Sequence, residues 1–268
     1  MSAVEGSLAQ SPAAAAPRQA RVYAVANQKG GVGKTTTAVN VSACLAEAGE
    51  RVLLVDLDPQ ANATSGLGLR ANGVSTLDLL DGAPLSALAK PTSVPNLDVV
   101  MAKSDLAAAA VDLSTREGGE RYLAEALAGR LERYSFVFLD CPPSFGPLTV
   151  NALAAAQRVL VPVQAEYYAL EGLSQLLGTI SHVKARLNPE LAVAGILLTM
   201  ADRRTRLSME VEAELRRHFG ELVFATTVPR SVRLAEAPSH GLPAIAYDPR
   251  SPGSEAYWKV AMELVERS

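Results

Sequence analysis

One short stretch, Lys29-Gly30-Gly31-Val32-Gly33-Lys34-Thr35-Thr36, limits what this chain can fold into more than any other. An apolar, β-favouring run at residues 21–27 precedes it, and a run of helical character at 35–48 follows, with Gly49 placed to end that helix. A glycine-rich turn between a strand and a helix brings backbone N–H groups close around an anion, because residues without a Cβ reach dihedrals and distances closed to the others. The helix N-terminus adds its partial positive charge. Lys34 supplies a point charge for the β- and γ-phosphates of a nucleoside triphosphate, and the Thr35 hydroxyl is placed to bind Mg2+. Residues Lys29, Gly30, Gly31, Val32, Gly33, Lys34, Thr35 and Thr36 are therefore read as a phosphate-binding loop. The common spacing asks for glycine where Gln28 stands, so this is a variant loop, and it carries an additional lysine, Lys29.

The rest of the chain alternates in the same way. Apolar runs at 52–56, 97–101, 136–140, 159–163 and 193–199 read as strands buried on both faces. Helical stretches are expected near 121–132, 170–187 and 209–219, the last with Ser208 as N-cap, Gly220 as stop and Val211, Leu215 and Phe219 on one stripe. Ser254 is expected to cap a final helix reaching about residue 265. The expected fold is α/β: three layers, a mostly parallel twisted sheet with helices on both faces, as in P-loop nucleotidases. Residues 1–20, with an alanine run between Pro12 and Pro17, read as a disordered tail, and 21–268 as one domain. Residues 61–89, rich in Gly and Ser, read as the most mobile part.

Composition narrows the function classes. A net charge of -3 excludes a globally basic nucleic-acid binder. Cys44 and Cys141 are too few for a disulfide scaffold and suggest a reducing, cytoplasmic setting. The start of the chain has no signal-peptide pattern, and its longest apolar run is too short to span a bilayer. The segment from Ser181 to Arg233 nevertheless carries nine Lys or Arg against six Asp or Glu. Within it Arg203, Arg204 and Arg206 cluster after an apolar strand, a candidate edge for nucleic-acid phosphates. Acidic residues at strand ends, Asp56, Asp58 and Asp140, fall where ligands of parallel sheets bind.

Residues 26–37 resemble the deviant Walker A loop of the ParA/MinD ATPase superfamily. Residues 54–60 (Leu-Val-Asp-Leu-Asp-Pro-Gln), 138–144 (Phe-Leu-Asp-Cys-Pro-Pro-Ser), 164–173 and 229–241 resemble its ParA, Soj-like branch. The resemblance runs from about residue 21 to the end. It implies an Mg-dependent ATPase of slow intrinsic turnover, which acts in chromosome or plasmid partition as an ATP-bound homodimer on nonspecific nucleoid DNA. A ParB-like partner releases it by stimulating hydrolysis, and no membrane is expected. By this resemblance Lys29 reaches the phosphates of the other subunit, Asp58 positions or activates the attacking water, and Asp140 holds Mg2+ with Thr35, through water. Pro229 packs near adenine, and Arg204 and Arg233 match the family's DNA contacts most closely, with Arg203 and Arg206 beside them. Asp56 takes a supporting role. Two departures stand out: Ser231 where many relatives carry Asn, and Ala61 where Gly is common, a change expected to stiffen the loop after Asp58. The alternatives are a MinD-like membrane-associated positioning ATPase, which needs a basic amphipathic C-terminal helix, and a metabolic P-loop enzyme with its own substrate pocket. A nitrogenase-like cluster is rejected, because Cys44 lies within the helix after the loop.

Overall fold

The computed structural model describes residues 19–166 and 169–267; the expectations for residues 1–18 and for Tyr167 and Tyr168 lie outside these. Seven strands form one sheet: β1 (Arg21–Val25), β2 (Val52–Asp56), β3 (Lys90–Pro91), β4 (Leu97–Val100), β5 (Phe136–Asp140), β6 (Arg158–Gln164) and β7 (Ala192–Thr199). Their order is β3-β4-β2-β5-β1-β6-β7, and every pair is parallel except β3 with β4. The longer helices are α1 (Lys34–Glu47), α5 (Leu106–Thr115), α7 (Pro147–Ala155), α8 (Ala169–Arg186), α9 (Arg206–Phe219) and α12 (Pro252–Glu266). Between them come the short α2 (Asn62–Gly66), α3 (Thr76–Leu80), α4 (Leu85–Leu88), α6 (Tyr122–Leu127), α10 (Val232–Glu236) and α11 (Ala244–Tyr247).

The apolar runs become the central strands because every residue of β2 and β5 is buried. Their side chains alternate between two cores. Val52, Leu54, Phe136 and Phe138 face α1 and α12, whereas Leu53, Val55, Val137 and Leu139 face the opposite helical layer. The Tyr23 and Phe138 rings stack at 5.3 Å in the first core. There the Tyr257 hydroxyl of α12 meets the Thr37 hydroxyl of α1 at 3.1 Å, joining the chain's last helix to the one after the phosphate loop. The three-layer expectation therefore holds.

Several local expectations are corrected. The N-cap of α9 is Thr205; Ser208 sits inside the helix, its hydroxyl accepting from the Asp202 N–H at 3.1 Å. Ser251, ahead of Pro252, caps α12 by accepting from the Ser254 N–H. The helix expected over 121–132 stops at Leu127, because Ala128 turns extended and Gly129 is left-handed. Residues 61–89 hold three short helices. Ser75 caps α3, with its own N–H donating to Asp78 at 2.7 Å, and Leu79, Leu80, Leu85 and Leu88 reach the core. The edge strand β3 and the helices α5 and α7 had no counterpart in the sequence reading.

Gly195 in β7 lies under Phe224, whose ring is fully buried; a Cβ there would come within 2.4 Å of the ring. Gly195→Ala is expected to cost about 1–3 kcal/mol through forced repacking, read as a lower midpoint in urea unfolding.

Candidate functional site

The carboxyl ends of β1, β2, β5 and β7 converge on one crevice, the position at which open parallel sheets bind ligands. Residues 26–33 leave β1 and wrap its phosphate end. Gly31 and Gly33 hold φ of 76° and 85°, which a side chain would resist. Thr199 at the end of β7 fastens the loop by donating its hydroxyl to the Val32 carbonyl at 2.8 Å. Lys34 begins α1 and is 6% exposed, and its Nζ donates to the Lys29 carbonyl at 3.0 Å. Burial lowers the Lys34 pKa, while the negative charge of Asp140, and to a lesser extent of Asp58, works against that shift.

Asp140 ends β5, in register beside Asp56 at the end of β2. It is fully buried, and among the described residues neither carboxylate oxygen has a hydrogen-bond partner of good geometry. Burial, and next the charge of Asp56, push its pKa well above the usual carboxylate range; the neighbouring Thr35 hydroxyl and the Lys34 charge offset this only in part. A buried carboxylate without partners, beside a threonine hydroxyl and under an anion-binding loop, is the environment a hard divalent cation satisfies. Thr35 and Asp140 therefore fit a magnesium ion shared with phosphate oxygens. Among the described residues no group of three or more His, Cys, Asp or Glu could hold a metal by themselves.

Asp56 has another task. Its Oδ1 accepts from the Asp58 N–H at 3.1 Å, and its Oδ2 accepts from the Thr64 N–H and hydroxyl at 2.9 and 2.7 Å. Burial raises its pKa from 3.8 to about 6, against these hydrogen bonds. A carboxyl that holds its proton more tightly folded than unfolded loses stability for the fold as pH rises across that interval. Asp58, 6% exposed, accepts from the Gln60 N–H through Oδ1 at 2.9 Å and lies close enough to Lys34 and Asp140 to be felt by both. Cys141 and Cys44 are buried free thiols whose pKa burial raises, an environment that disfavours the reactive thiolate.

Beyond the loop the crevice continues as two cavities that share Thr36, Leu234 and Ala235. One, of 210 Å³, is walled by Met200, Val228, Pro229 and Tyr257; the other, of 360 Å³, by Thr35, Asn40, Asn62 and Pro238. Pro229, expected by resemblance to pack near adenine, and Ser231 both line the first of these cavities. Thr199, Met200, Asn40 and Asn62 were missed. Thr199 was findable as the polar residue closing an apolar strand; the others carry no local signal.

Lys29 extends outward, half-exposed, and pairs with Glu166 of the segment after β6. The arginines divide. Arg203 and Arg204 line a trough of 950 Å³ together with Arg230 and Lys259. Arg204 is held by Asp202 through two bonds of 2.9 and 2.8 Å. Arg206 and Arg233 do not line the trough; the first pairs with Glu210, the second with Glu236 and Asp248. Arg203, Arg230 and Lys259 make no ion pair among the described residues.

A family model described as an AAA domain matches residues 20–193. Two similar proteins are the sporulation initiation inhibitor protein Soj of Bacillus subtilis, 51% identical over 91% of this chain and 98% of its own length, and the chromosome-partitioning ATPase Soj of Thermus thermophilus, 56% identical over 92% and 96%. Among solved structures, the cobyrinic acid a,c-diamide synthase of Mycobacterium smegmatis, determined with an ATP analog and magnesium, superposes with a TM-score of 0.81 at 40% identity, over 92% of this chain and 95% of that one. The cell division ATPase MinD of Pyrococcus furiosus, at 24% identity and a TM-score of 0.78 over 93% of this chain and 100% of that one, shares the fold.

Replacing Asp140 by Asn removes the charge that the interior opposes. Without nucleotide at pH 7.5, Asp140→Asn is expected to raise the thermal midpoint, while abolishing the further rise that magnesium and ATP together give the wild type.

Proposed function

The chain belongs to the Soj/ParA family of chromosome-partitioning ATPases, and from that premise we propose that it is a nucleotide-controlled switch for DNA segregation. ATP would close a homodimer, the dimer would bind duplex DNA without sequence preference, and hydrolysis stimulated by a ParB-like partner would release it. The observation that carries this reading is the placing, beneath one glycine loop, of a buried lysine near a buried carboxylate that has no hydrogen bond of good geometry among the described residues. An anion and a divalent cation together suit such a site.

The roles follow from position. The loop N–H groups and Lys34 hold the β- and γ-phosphates, and Thr35 and Asp140 hold magnesium, which when bound neutralises charge on the phosphoryl oxygens. Asp58 is the base or water-orienting group, since its turn leaves Oδ2 without a hydrogen bond in the same cluster. Lys29 is free to change partners. An exposed ion pair like that with Glu166 is worth only about 0–1 kcal/mol, so Lys29 can leave it for the phosphates of a facing subunit. A lysine supplied in trans makes dimerisation part of the site. For DNA, the trough of Arg203, Arg204, Arg230 and Lys259 is the stronger candidate, and Arg206 and Arg233 contribute after releasing their carboxylates. A dimer doubles this surface and so links nucleotide to DNA affinity.

The membrane-associated reading is less favoured. Among the described residues no helix is long and apolar enough to cross a membrane. Helix α12 carries Glu255, Glu263 and Glu266 against Lys259, a poor match for anionic lipid. The metabolic reading would show itself as full turnover with a small substrate and no DNA or protein partner.

Asp58→Ala is expected to bind ATP and dimerise while kcat falls by about 10²–10⁴-fold, and Lys29→Ala to bind ATP yet stay monomeric in light scattering; a Lys29→Ala dimer with normal hydrolysis overturns the trans role. In co-sedimentation with random duplex, Arg203→Glu with Arg204→Glu is expected to weaken ATP-dependent binding more than Arg206→Glu with Arg233→Glu, and to flatten its salt dependence. Equal retention by both double variants rules out this surface.

A further inference from the structure

Among the described residues three that are not glycine have positive φ: Ala61 (54°), Asn96 (65°) and Met200 (51°). Asparagine tolerates the left-handed region because its side chain bonds locally, whereas alanine has only the steric penalty of its Cβ. Strain of this kind survives where the surroundings over-determine the backbone.

At Ala61 they do. Its N–H donates to the Asp58 carbonyl at 2.8 Å, closing the turn whose first residue carries the proposed catalytic carboxylate. The Ala61 carbonyl accepts from the Ser65 N–H at 3.0 Å and so starts α2. Asp56 grips this hoop at both ends, through the Asp58 N–H on one side and Thr64 on the other. The Thr64 hydroxyl in turn accepts from the Ala102 N–H at 3.0 Å, anchoring the far end to the segment after β4. With both ends pinned, the few residues between them reverse direction through one left-handed residue. The Ala61 methyl is packed against the core, which confines the hoop further. On one side of it Asp58 points among Lys34 and Asp140; on the other Asn62 enters the crevice beside Thr35.

We infer that Ala61 is a positioning residue for hydrolysis: its strained, methyl-locked conformation aims Asp58 and Asn62 before nucleotide enters. This rests on the role proposed for Asp58. A glycine at 61 removes the left-handed penalty and stabilises the fold, yet opens several further backbone basins, so the aim of Asp58 broadens. Asparagine keeps a Cβ and tolerates the same φ. Stability and turnover are thus set to move in opposite directions, which a merely structural residue does not produce.

The experiment compares wild type, Ala61→Gly, Ala61→Asn and Asp58→Ala in steady-state ATP hydrolysis, MgATP binding by calorimetry and thermal unfolding. For Ala61→Gly the midpoint is expected to rise by roughly 2–4 °C, with KM and the dissociation constant within about twofold of wild type and kcat lowered roughly 3–10-fold. Ala61→Asn is expected to recover most of the kcat that Gly loses. If Asp58→Ala hydrolyses ATP normally, the reading of Asp58 falls and this inference with it. If Asp58→Ala is inactive while Ala61→Gly keeps full kcat, or loses kcat together with stability or affinity, the positioning role alone is overturned.

Discussion

Two strands of this sheet, β2 and β5, run side by side and end in register on carboxylates, Asp56 and Asp140, both inside the protein. Burying one charge is costly, and burying two adjacent charges of one sign is more so. The structure resolves the first and leaves the second. Asp56 is satisfied by three hydrogen bonds from its own chain, whereas Asp140 has none of good geometry among the described residues and relies on the proximity of the Thr35 hydroxyl and Lys34. The rest of the site can be understood as what surrounds this imbalance: a loop that admits anions, a hydroxyl that shares a cation, and a cavity long enough for a nucleotide. Binding relieves the imbalance, so ligand and fold stability are linked.

The same arrangement separates tasks among three aspartates that look alike in the sequence. Asp56 organises the hoop that follows it, Asp58 is carried at the start of that hoop, and Asp140 faces the phosphate loop. Lys29, by contrast, sits outside the buried group and keeps an exposed, exchangeable partner. That fits a residue whose proposed work begins only when a second subunit arrives.

Legibility in the sequence followed burial. The central strands were readable because each is an unbroken apolar run, the mark of a strand covered on both faces. The edge strand β3, two residues with a proline, carries no such mark. Helices α5 and α7 were missed because neither carries a clear amphipathic stripe, the signal that marked α9. Caps were misplaced by three residues at Ser208 and Ser254, because a serine near a helix start serves equally as cap or as partner to the preceding loop. Counting charges identified a basic segment but not its pairing. Helical spacing already sets Arg206 beside Glu210 and Arg233 beside Glu236, whereas only the fold adds Asp248 to Arg233 and draws Arg230 and Lys259 into the trough with Arg203.

The amino-acid sequence by itself determined the phosphate loop, the alternation of strands and helices, and the three strand-end acids, because each depends on residues adjacent in the chain. The tertiary structure decided what those acids do and which cations remain available. It also decided that the residue at 61 must be left-handed, since these outcomes depend on what distant segments bring within hydrogen-bonding or Coulombic reach. Ala61 shows the division most clearly: its identity was readable as a departure from glycine, but its strain comes from the distant pins at Asp56 and Ala102 that close the hoop around it.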